Sequence, residues 1–296
     1  MKLQTTRLFI SYISEGDADF ISELLNTSGW LKFIGDRHVN SSSEAHAYIK
    51  EIFRNPDVDY RIVRLKESNE TIGLITFIKR EYLEHPDIGF AFLPKFQKNG
   101  YAEEATLSVL HQLASESKFS TVLAVTVPSN FQSIKLLNKL GLVYCYNKEI
   151  NKENLNVYVA PADRILIHGL CKAFYRLFDN TSGREVRLSL LESMCVPEIN
   201  IYKRQKEGYT VTNLLDFIRT RQKLLTDGSL VDFCEKEVSS ETSIKGNVAQ
   251  RSSEYVKIGR RQGDSFSQSG SKLFQFIKNN DAWEICSIVW EDAELE

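Results

Sequence analysis

The chain has 296 residues, 42% of them hydrophobic, and 37 basic side chains against 39 acidic ones give it a net charge of −2. That length holds two ordinary domains, each with its own core. A charge so near zero, with no dense Lys/Arg block, excludes general binding to nucleic acid or to an anionic membrane surface and leaves small molecules and proteins as partners. Five cysteines (Cys145, Cys171, Cys195, Cys234, Cys286) are widely spaced, with no CxxC pair. They predict free thiols in a reducing cytoplasm, with neither a disulfide frame nor a metal site. The N-terminus MKLQTTRLFI has no long apolar segment followed by a cleavage site, and no other run approaches membrane-spanning length, so a soluble cytoplasmic protein is expected.

In chain order, Thr6 to Ile13 alternates as a first strand. Ser14 to Leu25 follows as an amphipathic helix with Phe20, Ile21, Leu24 and Leu25 on one side. Trp30, Leu31, Phe33 and Ile34 read as an aromatic turn, and Ser42 to Arg54 as a helix capped by Ser42 or Ser43. Tyr60 to Leu65 and Thr71 to Ile78 are β-rich runs joined at SNE, a hairpin pattern. Asp87 to Ala105, DIGFAFLPKFQKNGYAEEA, reads as a strand, a tight turn and a helix start with acids in its first turn. Unpaired N–H groups at such a helix start favour an anion, and Gly100 lets the backbone approach it. Thr121 to Val127 is continuously apolar, as in a strand buried on both faces. Phe131 to Leu140 is a helix closed by Gly141. Leu142 to Tyr146 and Leu155 to Val159 are the last strands before a boundary at Pro161, Ala162 and Asp163.

Three of these segments carry a family likeness. TTRLFIS (Thr5 to Ser11), IGFAFLPKFQKNGYAEEA (Ile88 to Ala105) and NFQSIKLLNKLGL (Asn130 to Leu142) resemble the GNAT family of acetyl-CoA-dependent N-acetyltransferases, and within it the branch that acetylates ribosomal-protein N-termini. Its cofactor motif, Gln/Arg-x-x-Gly-x-Gly/Ala, is met by Gln97, Gly100 and Ala102. The resemblance implies a GNAT domain over residues 1–160, built as a mixed sheet flanked by helices. It implies acetyl-CoA as co-substrate, no metal, and a primary amine of a small molecule or a protein N-terminus as acceptor. Phe90, Ala91 and Phe92 would then offer backbone groups to the pantetheine arm, and Asn130 would bond it from the other side. Backbone N–H groups of Gln97, Lys98, Asn99, Gly100, Tyr101 and Ala102 would hold the pyrophosphate.

Acyl transfer needs a neutral amine and a donor for the developing oxyanion. Asp87 stands where this branch commonly has a glutamate and is the implied base. Leu137 occupies the position at which many members carry a tyrosine as general acid, so Ser133, matching a serine of the ribosomal-protein branch, is the implied substitute. Without the flanking pattern, Gly100 is a turn glycine, Asp87 a turn residue beside Pro86, and Ser133 a packing residue; His85 and His111 receive no role. Leu137 also fits a protein that binds coenzyme A without turnover. The segments that shape an amine pocket in this fold, Asn26 to Asn40 and Ile78 to Pro86, carry Trp30, Asp36, Arg37, Glu81 and Glu84 with no single chemical theme.

The second half begins with a helix over Arg164 to Phe178. A short helix over Glu185 to Leu191, a strand over Glu198 to Lys203 and a helix over Thr212 to Leu225 follow. Four β-rich runs close the chain: Leu230 to Ser240, Lys245 to Ile258, Ser271 to Lys278 and Ala282 to Trp290. Helices followed by long strands form an α+β pattern in which a curved antiparallel sheet wraps a helix. FYRLFDN (Phe174 to Asn180), TVTNLLDFIRTRQKLLTDG (Thr210 to Gly228) and FQFIKNNDAWEICSIVWED (Phe274 to Asp292) resemble the nuclear-transport-factor-2-like, or SnoaL-like, superfamily over residues 163–296. That resemblance implies an α+β cone around a pocket. Its members include isomerases, cyclases and ligand-binding or dimerisation modules. Tyr175, Tyr202, Arg219, Glu235 and Tyr255 are candidate pocket residues, and a binding or homodimerisation role is the expectation, with an isomerase or cyclase as the alternative.

Overall fold

Local rules of strand and turn set the first half of the chain, which a computed structural model describes, together with the second, for residues 2–150 and 152–293. Two units result, residues 1–165 and 166–296. In the first, β1 (Leu3–Gln4) and β2 (Leu8–Tyr12) lead to α1 (Ala18–Leu25), α2 (Ser28–Phe33) and α3 (Ser42–Arg54). Then come β3 (Val58–Leu65), β4 (Thr71–Ile78), β5 (Asp87–Phe92), α4 (Tyr101–Ser115), β6 (Thr121–Thr126), α5 (Phe131–Lys139), β7 (Val143–Ile150) and β8 (Glu153–Pro161). The eight strands form one mixed sheet in the order β1-β2-β3-β4-β5-β6-β8-β7. The SNE hairpin is present between β3 and β4, closed by the Leu65 N–H donating to the Glu70 carbonyl over 2.9 Å.

Trp30 lies in a helix where the sequence suggested a turn. Thr27 caps α2, its hydroxyl accepting from the Trp30 N–H, and the indole is 5% exposed in a core shared with Ile21, Leu24, Ile49, Ile62 and Leu74. Burial of that side chain, with a threonine cap in place, outweighs the weak local helix preference of SGWLKF.

In the second unit α6 (Ala162–Leu177) precedes β9 (Cys195–Arg204), β10 (Tyr209–Asn213) and α7 (Leu214–Thr226). β11 (Leu230–Lys245), β12 (Val248–Arg261), β13 (Asp264–Asn279) and β14 (Ala282–Asp292) complete it, the six strands running β10-β9-β14-β13-β12-β11. The pairing is antiparallel except between β14 and β9, which run parallel, so the expected all-antiparallel sheet is corrected at that one ladder. The expected helix over Glu185 to Leu191 is a 3-10 segment, Leu188–Ser193. Thr212 to Asn213, expected to be helical, instead close strand β10: Gly208 turns the chain at φ +78°, Thr-Val-Thr pairs with β9, and Asn213 caps α7 by accepting from the Asp216 N–H at 2.9 Å. The core joins Phe174 and Phe178 of α6 to Phe274, Phe276, Ile285 and Ile288 of the sheet, with the Phe174 and Phe274 rings 5.1 Å apart.

One glycine sets the inner surface of this sheet. An added Cβ at Gly270 would stand 2.4 Å from the Glu291 carbonyl oxygen and 2.5 Å from the Tyr255 hydroxyl. Gly270→Ala should therefore destabilise the protein by about 1–3 kcal/mol, the range for overpacking a filled site, visible as a lowered urea midpoint at unchanged slope.

Candidate functional site

Strand β5 is fully paired on one side and nearly unpaired on the other. Its ladder with β4 runs from Asp87↔Ile78 to Phe92↔Gly73, whereas its parallel ladder with β6 consists of Asp87↔Leu123, joined by the Leu123 N–H to the Pro86 carbonyl at 2.9 Å. Beyond that pair the two strands separate. The Leu93 N–H donates to the Ile72 carbonyl at 3.0 Å, so alternation turns the backbone groups of Ala91 and Gly89 toward β4 and those of Ile88, Phe90 and Phe92 toward the open wedge. The Phe92 carbonyl is met there by Gln97 Nε2 at 3.0 Å. Phe90 and Phe92 thus have main-chain groups directed into the wedge, while Ala91 spends its own on Leu74.

At the wide end of the wedge the chain turns into α4. Lys98 (φ +64°) and Gly100 (φ +79°) both take the left-handed conformation, and Gly100 is the N-cap of the helix. Gln97, Lys98, Asn99 and Gly100 are exposed, and Tyr101 and Ala102 open the helix with N–H groups that have no intrahelical acceptor. This is a cradle for phosphate oxygens, with the positive end of the helix dipole behind it. Glu103 and Glu104 do not spoil it. Glu104 is turned to the opening strand, accepting from the Thr5 hydroxyl at 2.5 Å, the Arg7 N–H at 3.0 Å and Arg7 Nε at 2.7 Å, and Glu103 is salt-bridged to Lys139 at 3.3 Å. The bonds from Thr5 and Arg7 hold the Glu104 carboxyl below the usual range despite its partial burial, so it stays ionised.

On the far side, Asn130 is the N-cap of α5, its Oδ1 accepting from the Ser133 N–H at 3.1 Å, an arrangement worth about 1 kcal/mol to the helix. That bond fixes the amide and leaves Asn130 Nδ2 as a donor. Ser133 is half-buried one turn into α5, and Leu137, one turn further, is 1% exposed and packed in the core.

Asp87 begins β5 on the sheet face that also carries Tyr60, Thr76 and Gly89, because the registers Tyr60↔Thr76↔Gly89 and Val58↔Ile78↔Asp87 lie two residues apart. Its carboxylate is buried and accepts from Arg80 Nε at 2.6 Å. Burial pushes the Asp87 carboxyl above the usual range, and Arg80 only partly offsets this. The Tyr60 hydroxyl lies 3.3 Å from that of Tyr48, and burial raises the Tyr60 phenol far above its ordinary value against the opposing charges of Arg37 and Arg80.

Residues 7–143 match the family described as acetyltransferase (GNAT) domain. They form a GNAT acetyltransferase domain. The uncharacterized N-acetyltransferase YnaD of Bacillus subtilis (strain 168) is 28% identical over 143 residues, which are 48% of this chain and 82% of that protein. Among solved structures, an acetyltransferase (GNAT family) from Bacillus anthracis is 23% identical and superposes with a TM-score of 0.49 over 55% of this chain and 99% of its own. The ribosomal-protein-S5-alanine acetyltransferase from Vibrio fischeri is 18% identical, with a TM-score of 0.48, over 55% of this chain and 97% of its own.

Within the GNAT domain the β5 edge of the wedge and the Gly100 turn come from one continuous run, and the α5 cap comes from a second segment brought to the site by the topology around β5 and β6. Arg7 is a residue that sequence reasoning passed over. Its guanidinium lies 4.4 Å from the Tyr101 ring centroid, donates to the Asn99 carbonyl at 3.0 Å and comes within 3.4 Å of where a Gly100 side chain would begin. It ties the opening strand to the phosphate cradle. Its place in TTRLFIS was visible, but pairing across 92 residues was not. Arg80 and Tyr60 were likewise missed beside Asp87.

The second unit holds a cavity of about 380 Å³. Of the residues suggested for it, Glu235 and Tyr255 line it. Tyr175 is buried behind the wall with its hydroxyl 3.2 Å from Ser253 Oγ, and Tyr202 and Arg219 are absent from the lining.

Proposed function

We propose that the GNAT domain, taken as residues 1–160, moves an acetyl group from acetyl-CoA to a primary amine of a small molecule or a protein N-terminus. The observation that carries the reading is the unpaired edge of β5 running into a left-handed glycine at a helix start, a surface that fits an extended arm ending in a pyrophosphate. Acetyl-CoA supplies the activated acyl group as a thioester.

The chain's own residues divide the remaining work. Phe90 and Phe92 bind the arm through main-chain groups, and Asn130 Nδ2 donates from the other side. Gln97, Lys98, Asn99, Gly100, Tyr101 and Ala102 seat the pyrophosphate, and Ala91 contributes its place in β5. The Phe90 N–H stabilises the charge that develops on the acyl oxygen. Asp87, with its raised proton affinity, takes a proton from the acceptor ammonium, and Ser133 donates one to the departing thiolate. Arg80 positions Asp87, and Tyr60, on the same sheet face, bounds the acceptor side.

For residues 163–296 we propose a nuclear-transport-factor-2-like (SnoaL-like) cone that binds a ligand, with homodimerisation as its other role, in a cytoplasmic protein. Against an isomerase stands the state of Asp292. Lys257, Tyr255 and Lys203 hold its carboxyl at about 2 despite burial, so it stays a charged partner and not a base poised near neutral pH.

Thermal-shift measurement with acetyl-CoA, followed by thiol release against a panel of amines, tests the first reading. Acetyl-CoA at a hundred times its Kd should add about 2.7 kcal/mol of stability, and at least one amine class should release coenzyme A. Binding without thiol release on any amine would replace the transferase with a coenzyme A-binding protein.

A further inference from the structure

The cavity of the second unit divides its wall about evenly between an aromatic and aliphatic part and a polar, charged part. Phe174, Phe178, Phe217, Phe233, Phe266 and Trp290 surround it, a volume and lining of the kind that takes one aromatic-sized molecule. Its polar groups are unevenly balanced. Four cations, Arg221, Lys257, Arg261 and Lys272, face three carboxylates, Glu235, Asp264 and Asp292.

Most of these charges are already satisfied. Lys272 Nζ is 2.6 Å from Glu235 Oε1 and lies over the Tyr255 ring at 4.6 Å from its centroid. Asp292 is held by Lys257, by Lys203 at 3.0 Å and by the Tyr255 hydroxyl at 2.7 Å. Arg221 differs. It projects from α7 into the cavity against the Phe217 ring, 5.6 Å from its centroid, and among the described residues it has no hydrogen bond and no ion pair. Burial depresses its proton affinity, and the attraction of Glu235 and Asp292, opposed by the charge of Arg261, does not make up the loss.

A guanidinium desolvated against a phenyl ring, its donors bonded to none of the described residues, is a receptor for a planar anion. We propose that this cavity binds an apolar, aromatic-sized carboxylate, with Arg221 pairing the carboxylate and the phenylalanine and tryptophan wall enclosing the body. The proposal rests on the ligand-binding reading of the second unit and names its ligand class. Glu235 and Asp292, locked on lysines, repel a second negative charge and set the preference for a monoanion.

Naphthoate, naphthol and naphthylmethylamine, titrated into the full chain by calorimetry with Trp290 fluorescence as a second readout, separate the outcomes. Naphthoate should bind most tightly. Arg221→Gln should weaken it at least about ten-fold while leaving naphthol unchanged, and Arg221→Lys should restore part of the loss. Circular dichroism of each variant establishes that it is folded. Equal affinity for naphthoate and naphthol, or naphthoate binding untouched by Arg221→Gln, overturns the anion receptor but keeps a ligand cavity. Failure of all three probes to bind the folded wild-type chain overturns the ligand-binding reading itself.

Discussion

A Gly100→Val variant should bind acetyl-CoA at least about a hundred-fold more weakly than the wild-type chain, a loss near 2.7 kcal/mol, while keeping its secondary structure. Two effects add. Gly100 has φ +79°, where a β-branched residue costs about 1–3 kcal/mol, so the turn relaxes away from the conformation that points its N–H groups outward. The new side chain also projects toward Arg7, whose Nη2 already lies 3.4 Å from the Cβ position, and pushes at the bond from Arg7 Nη1 to the Asn99 carbonyl. Gly100 is exposed, so neither effect reaches the core. Gly100→Ala, carrying the backbone strain with less bulk, should fall between. Calorimetry with acetyl-CoA and circular dichroism on the same samples decide the matter: unchanged affinity in a folded Gly100→Val protein would remove the pyrophosphate from this turn.

The cofactor half of the site was legible because its information is local. A strand ended by Pro94, a turn holding Gly100 and a helix opened by Tyr101 all fall within one short run of sequence, and backbone geometry does the binding. The acceptor half was not, because it is assembled by register. Nothing in sequence places Tyr60 on the face of Asp87 until β3, β4 and β5 are paired, and Arg80 reaches Asp87 across the β4–β5 connection. The same physics explains the fold-level differences. Strand β10 hides behind a helix-like TVTNLLDF because Asn213 caps the helix two residues later than hydrophobic spacing suggests. The β9–β14 parallel ladder joins segments more than 80 residues apart, and no periodicity encodes direction.

Asp87→Asn should lower kcat by about 10²- to 10⁴-fold at neutral pH with little change in acetyl-CoA affinity, the range for loss of a positioned general base. Stability should move far less. The substitution leaves Arg80 without its 2.6 Å ion pair, but that side chain is 29% exposed and water can replace the partner. It also removes a carboxylate whose ionisation the buried site disfavours. These opposing terms leave a change under about 2 kcal/mol. The pH dependence follows from the direction of the shift. The folded-state proton affinity of Asp87 is raised above its unfolded value, so the group's contribution to stability is present below the ordinary carboxylate range and is lost as pH rises through the folded value. Activity runs the opposite way, since a base works only when deprotonated. The acid limb of kcat/KM should therefore lie above the ordinary aspartate range of about 4 and should vanish in Asp87→Asn. A folded Asp87→Asn enzyme that keeps both its turnover and its acid limb would leave Asp87 as no more than the anchor of Arg80, and the proton would have to leave the ammonium by another route.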